Sequence, residues 1–394
     1  MATIHRLTSN LAAETGRRVN AIVIEANGED KEDAESKGVH LMLPDDTDPE
    51  EKPTLAWLTK YHSIHYPSLK KMSDVNVVIG HATTTSKAAL DIQREYFRGK
   101  KVILFNHVLP EDTEVTRDDF TPTRVQQREA TLCQEVSRCR VVFSVGPRVY
   151  HHFENKFSTL PSVKHELFLP LPAETFFQIG MKKPSITCQK QILTYGRIGH
   201  VNHLVGYDVV ARGLSKYVTD LKKRKPTFNS PVWLISGIQE EGVRSASDFI
   251  KKHVTSGDLH LKVTFNWSNS QIINDLQESH LCLIPSHVEP FGMFGLEAIA
   301  AGIPVLVNSN SGLAMFLTKY MHPDKAAAVI LDVGVTDTKR KRDINRWANR
   351  IAEVFEDYDH AFERAQEMKK MLRDCHAIKE THTVFKRECC VKEN

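Results

Sequence analysis

Apolar positions along the chain fall into short runs rich in Val and Ile, separated by longer stretches in which apolar side chains recur every three or four residues. Runs of the first kind suit strands buried on both faces of a parallel sheet, and stretches of the second kind suit helices with one apolar face. The alternation predicts an α/β protein. In the first half, strands are predicted at Val19 to Glu25, Val75 to Gly80, Val102 to Asn106 and Val141 to Val145. Helices are predicted around Leu55, from Thr85 to Phe97 and from Thr123 to Ser137. The acidic stretch Pro44 to Pro53 reads as a surface loop.

The segment Pro170 to Pro184 holds three prolines and a glycine and breaks the alternation, which then restarts. Two domains are therefore expected, at residues 1–172 and 185–340, joined by a linker at 173–184 and followed by helices over 341–394. Predicted strands of the second half are Gln191 to Tyr195, Val232 to Ser236, Leu261 to Phe265, Leu281 to Pro285, Pro304 to Val307 and Ala328 to Leu331. Ile344, Trp347, Ile351 and Phe355 share one helical face near the end. At the other end, Ile4, Leu7 and Leu11 have helical spacing and Gly16 supplies a stop before Val19, so the chain opens in a helix. A doubly wound domain opens instead with a strand and a glycine-rich turn, and the first domain is expected to lack both.

A chain of 394 residues is long enough for two cores, and 41% hydrophobic with 26% charged residues is a globular composition. A net charge of +3 selects no partner class. The basic runs Lys222 to Lys225 and Lys339 to Arg342 read as solvated helix ends, compatible with peripheral contact to an anionic membrane, and no nucleic-acid motif accompanies them. The seven cysteines form no C-x-x-C pair, which argues against a disulfide framework and a zinc site and points to a reducing, cytoplasmic setting. No stretch has a signal peptide's apolar core or the length of a membrane span.

Chemistry concentrates in Pro285 to Val307, PSHVEPFGMFGLEAIAAGIPVLV. A strand ends at Pro285, a loop carries Ser286 and Glu289, and Gly292, Met293, Phe294 and Gly295 lead into a helix from about Phe294 to Ala301. Glycine there admits close backbone approach to a ligand, and a helix N-terminus offers free N–H groups to a diphosphate. Glu297 is expected in the first turn, where a carboxylate is electrostatically favoured and can accept hydrogen bonds from sugar hydroxyls.

Ser286, Glu289, Phe291, Gly292, Gly295, Glu297, Ala298, Gly302, Pro304 and Val305 together resemble the signature of the retaining family 4 glycosyltransferases, with two glutamates separated by seven residues. Tyr195-Gly196-Arg197 resembles the family's glycine-arginine pair, and Val232 to Gly237 with Phe265-Asn266-Trp267 resemble its next two strand ends. ILFNHVLPED, carrying His107, resembles its strand-histidine-proline loop; His81 also follows a strand. The resemblance implies the GT-B fold, two Rossmann-like domains facing each other with parallel sheets flanked by helices. It implies transfer of a sugar from a nucleoside diphosphate (a UDP- or GDP-sugar) to an acceptor hydroxyl with retention. Arg197 and the backbone at Gly292 to Gly295 would bind the leaving diphosphate, Glu297 the ribose and Glu289 the donor sugar. His107 would orient sugar or acceptor. Neither cofactor nor metal is expected.

Two departures from the family pattern leave a second reading open. Val205 stands where the family places a lysine, and the opening strand with its glycine turn is expected to be absent from this sequence, either through truncation or because the domain has been repurposed. Both are compatible with a glycosyltransferase-like module that binds nucleotide but turns over weakly. A sugar-nucleotide epimerase on the same fold lacks an identifiable carboxylate-histidine set.

Overall fold

The computed structural model describes residues 18–45, 53–115, 121–180, 184–185, 189–196, 206–238, 240–265, 269–286, 289–334 and 340–390. The chain divides into two compact units, one of Met1–Pro110, Thr121–Pro170 and His376–Asn394, the other of Glu111–Phe120 and Leu171–Cys375. Every strand pairing in both is parallel.

In the first unit, β1 (Val19–Ile22) and β2 (Val39–Met42) form a two-stranded sheet around the helix Gly28–Ser36. A four-stranded sheet follows in the order β3 (Val77–His81), β4 (Lys101–Asn106), β5 (Val141–Val145) and β6 (Lys164–Phe168). Its two middle strands are apolar and buried almost throughout, as two-faced burial in a parallel sheet requires. The helix Ser86–Tyr96 lies hard against β3: a β-carbon on Gly80 would stand 2.7 Å from that of Ala89. The last helix, His376–Cys389, belongs to this unit and packs Phe385 among Phe105, Phe143 and Phe168. Its Glu388 carboxylate draws in Lys101 and Lys164, at 3.1 and 3.0 Å.

The second unit has one six-stranded sheet in the order β12-β11-β10-β7-β8-β9. The strands are β7 (Gln191–Tyr195), β8 (Val232–Ser236), β9 (His260–Val263), β10 (Leu281–Ile284), β11 (Val305–Asn308) and β12 (Ile330–Leu331). Counted from β7, this is the doubly wound order 3-2-1-4-5-6. Helices Tyr207–Arg224 and Arg340–Glu356 lie side by side because Gly213 has no side chain: a β-carbon there would stand 2.7 Å from that of Trp347.

Several elements differ from the sequence expectation. β2 and β6 are additional; VHLM and KHELF are short and mix polar with apolar residues, so neither carries the signal of a fully buried strand. The strand expected from Ala328 is only Ile330–Leu331, since the alanine-rich helix Pro323–Val329 runs into it. β9 ends at Val263, leaving Phe265 beyond it and 48% exposed.

Candidate functional site

The strand order of the second unit reverses between β7 and β10, which are neighbours in the sheet. Such a switch point opens a crevice at the strands' C-terminal ends. Tyr195 ends β7, and Ser286 and Glu289 lie on the chain leaving β10. Both strands lead to helices, Tyr207–Arg224 and Met293–Ala301, that begin in the same way. Each has a glycine N-cap in the left-handed region, Gly206 at φ 98° and Gly292 at φ 100°, and neither has a side-chain capping hydrogen bond. Their first N–H groups therefore lack a side-chain cap, and the dipoles place partial positive charge beside the switch point.

The β10 loop is held by close backbone packing. The amide of buried Asn308, at the end of β11, donates to the carbonyl of Pro285 at 3.0 Å. Gly312 N–H donates to the carbonyl of Glu289 at 3.0 Å, and a β-carbon on Gly312 would stand 1.9 Å from the carbonyl oxygen of Pro290. A β-carbon on Gly295 would stand 2.4 Å from Leu313 Cδ2. Gly312 and Gly295 thus let the loop and the helix Met293–Ala301 settle onto the helix Gly312–Tyr320, whose own start is capped by Ser311.

Glu289 and Glu297 are both half-buried, and neither is without an interaction. Burial, and then the negative charge of Glu289, push the Tyr207 phenol up. The β10 loop therefore reaches the beginning of the helix that follows β7. Glu297 is the fifth residue of its helix, past the first turn, because the left-handed Gly292 starts the helix one residue earlier than expected. The dipole argument for that carboxylate weakens accordingly. Met293 and Phe294 are half-buried at the helix start. Phe294 stacks on Tyr195 with ring centroids 5.1 Å apart, a contact sequence reasoning missed. Arg197, Val205, Asn266 and Trp267 lie outside the described residues.

The first unit has a separate cluster at the C-terminal ends of β3 and β4. His81 Nδ1 and His107 Nε2 are 2.8 Å apart, and both rings are half-buried. Burial, and then the adjacent His81 ring, push the His107 imidazole down to about 3, so it is neutral at physiological pH. Beside His107, Asn106 is fully buried, and neither polar atom of its amide has a hydrogen-bond partner among the described residues. Among the described residues, no group of three or more His, Cys, Asp or Glu side chains is arranged to hold a metal ion. None of their helices is long and apolar enough to cross a membrane.

The fold recurs in known proteins. Sucrose-phosphate synthase from Thermosynechococcus elongatus superimposes with a TM-score of 0.66 at 13% identity, covering 98% of this chain and 91% of that one. A glycosyltransferase from Rickettsia africae gives 0.63 at 13% identity, over 98% and 94% of the two chains. Anabaena HepE, in complex with UDP and glucose, gives 0.62 at 12% identity over 98% and 95%. At these identities the likeness establishes the fold, that of the GT-B glycosyltransferases. No curated protein sequence matches the chain. Residues 3–383 match the family described as GT4-conflict, "Family 4 Glycosyltransferase in conflict systems", and the chain belongs to that family of glycosyltransferases.

Proposed function

We propose that the protein transfers a sugar from a nucleoside diphosphate sugar to an acceptor hydroxyl, with retention at the anomeric carbon. The observation that carries this reading is the pair of helix N-termini at the switch point, each opened by a left-handed glycine that itself has no side chain to cap the helix. Two such ends supply fixed partial positive charge and N–H donors where a diphosphate leaves, without reorganisation during reaction. HepE, a structural neighbour, was crystallised with UDP and glucose, which supports a donor of this class.

In this reading, Arg197 adds a permanent cation to the diphosphate, and the backbone from Gly292 through Met293 and Phe294 to Gly295 cradles it. Ser286 lines the same edge. Glu297 accepts hydrogen bonds from the ribose, and Glu289 accepts them from hydroxyls of the donor sugar. His107, neutral in its half-buried place, orients sugar or acceptor. The side chains and helix ends perform the charge stabilisation, so no metal is assigned. A cytoplasmic setting fits the six described cysteines, all unpaired.

Calorimetric titration with UDP, GDP and ADP tests donor binding, and proton NMR of the product's anomeric configuration tests retention. A folded sample that binds none of the three rules out the donor site. One that binds nucleotide but gives neither transfer nor hydrolysis across a panel of nucleotide sugars is instead a nucleotide-binding module, the reading suggested by Val205.

A further inference from the structure

The loop that presents His81 is built more rigidly than a surface connection requires. Gly80 lies under the helix Ser86–Tyr96 with no room for a β-carbon. Thr83 adopts a φ of 65°, an outlier for a β-branched residue. The His81 N–H donates to Thr85 Oγ1 at 2.9 Å, and the His81 carbonyl accepts the N–H groups of Thr84 and Thr85 at 3.2 and 2.8 Å. Ala82 N–H donates to the carbonyl of Phe105 at 2.7 Å, tying the turn to β4 two residues before His107. Strain of this kind persists only where the surroundings over-determine it, and it clusters at functional sites.

What the loop holds in place is the His81 ring, whose Nδ1 meets His107 Nε2 at 2.8 Å. The rings are 5.0 Å apart between centroids and inclined by 32°. With the His107 imidazole neutral, a single proton lies between these two nitrogens. If it belongs to His81, the proton of His107 sits on Nδ1, which then donates. If it belongs to His107, its Nδ1 is bare and accepts. His107 forms no second hydrogen bond among the described residues, so its Nδ1 is the nitrogen left for a ligand.

We infer that His81 is a positioning residue for His107: through the shared proton it fixes the orientation of the His107 ring and decides whether Nδ1 donates or accepts. This inference rests on the reading above that His107 contacts sugar or acceptor. A neutral imidazole has two tautomers of similar energy, and its hydrogen-bond partner selects one. Without His81, the His107 ring would be free to rotate and to exchange tautomers, and a displacement of about 1 Å at a reacting group costs on the order of a hundredfold in rate.

The test compares His81→Leu, His81→Asn and His107→Ala. Each is assayed with whichever of UDP-glucose, UDP-N-acetylglucosamine and GDP-mannose the wild-type chain turns over. His81→Leu should lower kcat by roughly tenfold to a hundredfold and leave KM for the donor unchanged. His81→Asn should restore most of kcat, because its amide nitrogen falls near the place of the imidazole Nδ1 and can donate to His107 Nε2. Nitrogen-15 spectra of the wild-type protein should show one fixed His107 tautomer and a coupling across the hydrogen bond to His81, both lost in His81→Leu. Wild-type kcat in His81→Leu, beside an impaired His107→Ala, would overturn the positioning role alone. Full turnover by His107→Ala would overturn the assignment of His107 itself. Where His81→Leu does not fold or no donor is turned over, the wild-type spectrum decides: a His107 ring averaging between tautomers, without coupling to His81, overturns the inference.

Discussion

The ring of Tyr195 occupies the space that a side chain on Gly237 would need: a β-carbon built on that glycine stands 2.6 Å from Tyr195 Cζ and 2.7 Å from Cε1. Gly237 follows β8 with φ at 83°, and Tyr195 ends the neighbouring β7, its ring also stacked on Phe294. The glycine therefore sets where the ring lies, and the ring in turn rests on the first turn of the helix Met293–Ala301.

Gly237→Ala should push Tyr195 off this position and strain the backbone as well. The expected loss is about 1–3 kcal/mol of unfolding free energy, from the left-handed conformation alone. Nucleotide affinity should fall with it, because Phe294 loses its support. Urea denaturation and calorimetry with UDP measure the two effects; a variant of unchanged stability would show that the ring has other places to go.

The two glutamates should separate by ligand. Glu297→Gln is expected to weaken binding of the plain nucleoside diphosphate by about 1–3 kcal/mol, the range for losing a charged acceptor. Glu289→Gln should leave that affinity nearly unchanged and lower binding or turnover of the intact sugar donor. Calorimetry with UDP and with UDP-glucose distinguishes them, and the opposite pattern would exchange the ribose and sugar assignments.

The strand-loop-helix unit that carries the candidate site could be read in the sequence because glycine spacing and strand ends are local signals. Gly292, Gly295 and Glu289 lie within one strand-loop-helix unit whose order along the chain is its order in space. Contacts between distant segments were not legible. The stack of Tyr195 on Phe294 joins residues brought together only by the β7–β10 pairing. The facing of His81 and His107 depends on register, His81 lying opposite Phe105. Glu297 lies one residue further into its helix than expected because the residue that starts a helix depends on which glycine is left-handed, and composition does not specify that. β6 escaped notice because Lys164, His165 and Glu166 hide a strand in which only Phe168 is fully buried.

Acid should destabilise the first unit through its buried neutral histidines. Burial pushes His165 down to about 4, and His107 lies at about 3. In the unfolded chain each has an ordinary value near 6.5. Between those limits the unfolded state binds more protons than the folded state, so stability is full above about 6.5 and is lost as pH falls toward 4. His165 Nε2 meets Ser144 Oγ at 2.8 Å, and its ring stacks on Tyr150, so His165→Gln should lower stability at neutral pH while flattening its decline in acid. Urea midpoints at pH 7.5, 6 and 5 would show the change in slope; a steeper decline in the variant would contradict the neutral assignment of His165.

Asn106 stands apart from its strand. Alternation along β4 puts it on the face that carries Val102 and Leu104, which pack with Leu90, Leu132, Val142 and Val149. It is completely buried there, and its amide oxygen and nitrogen both lack partners. An unsatisfied buried polar group costs about 1–3 kcal/mol, and an apolar side chain of similar volume removes that cost. Asn106→Leu should therefore raise the free energy of unfolding by about 1–3 kcal/mol without altering the fold. The same residue precedes His107, so a gain in stability accompanied by lower turnover would mark the amide as a cost tolerated for function, as happens where activity and stability compete. A gain with unchanged turnover would mark it as a defect without a role. Chemical denaturation and donor turnover, measured on the same preparation, separate these outcomes. A less stable Asn106→Leu would show that the amide is satisfied in solution, through ordered water reaching the end of β4.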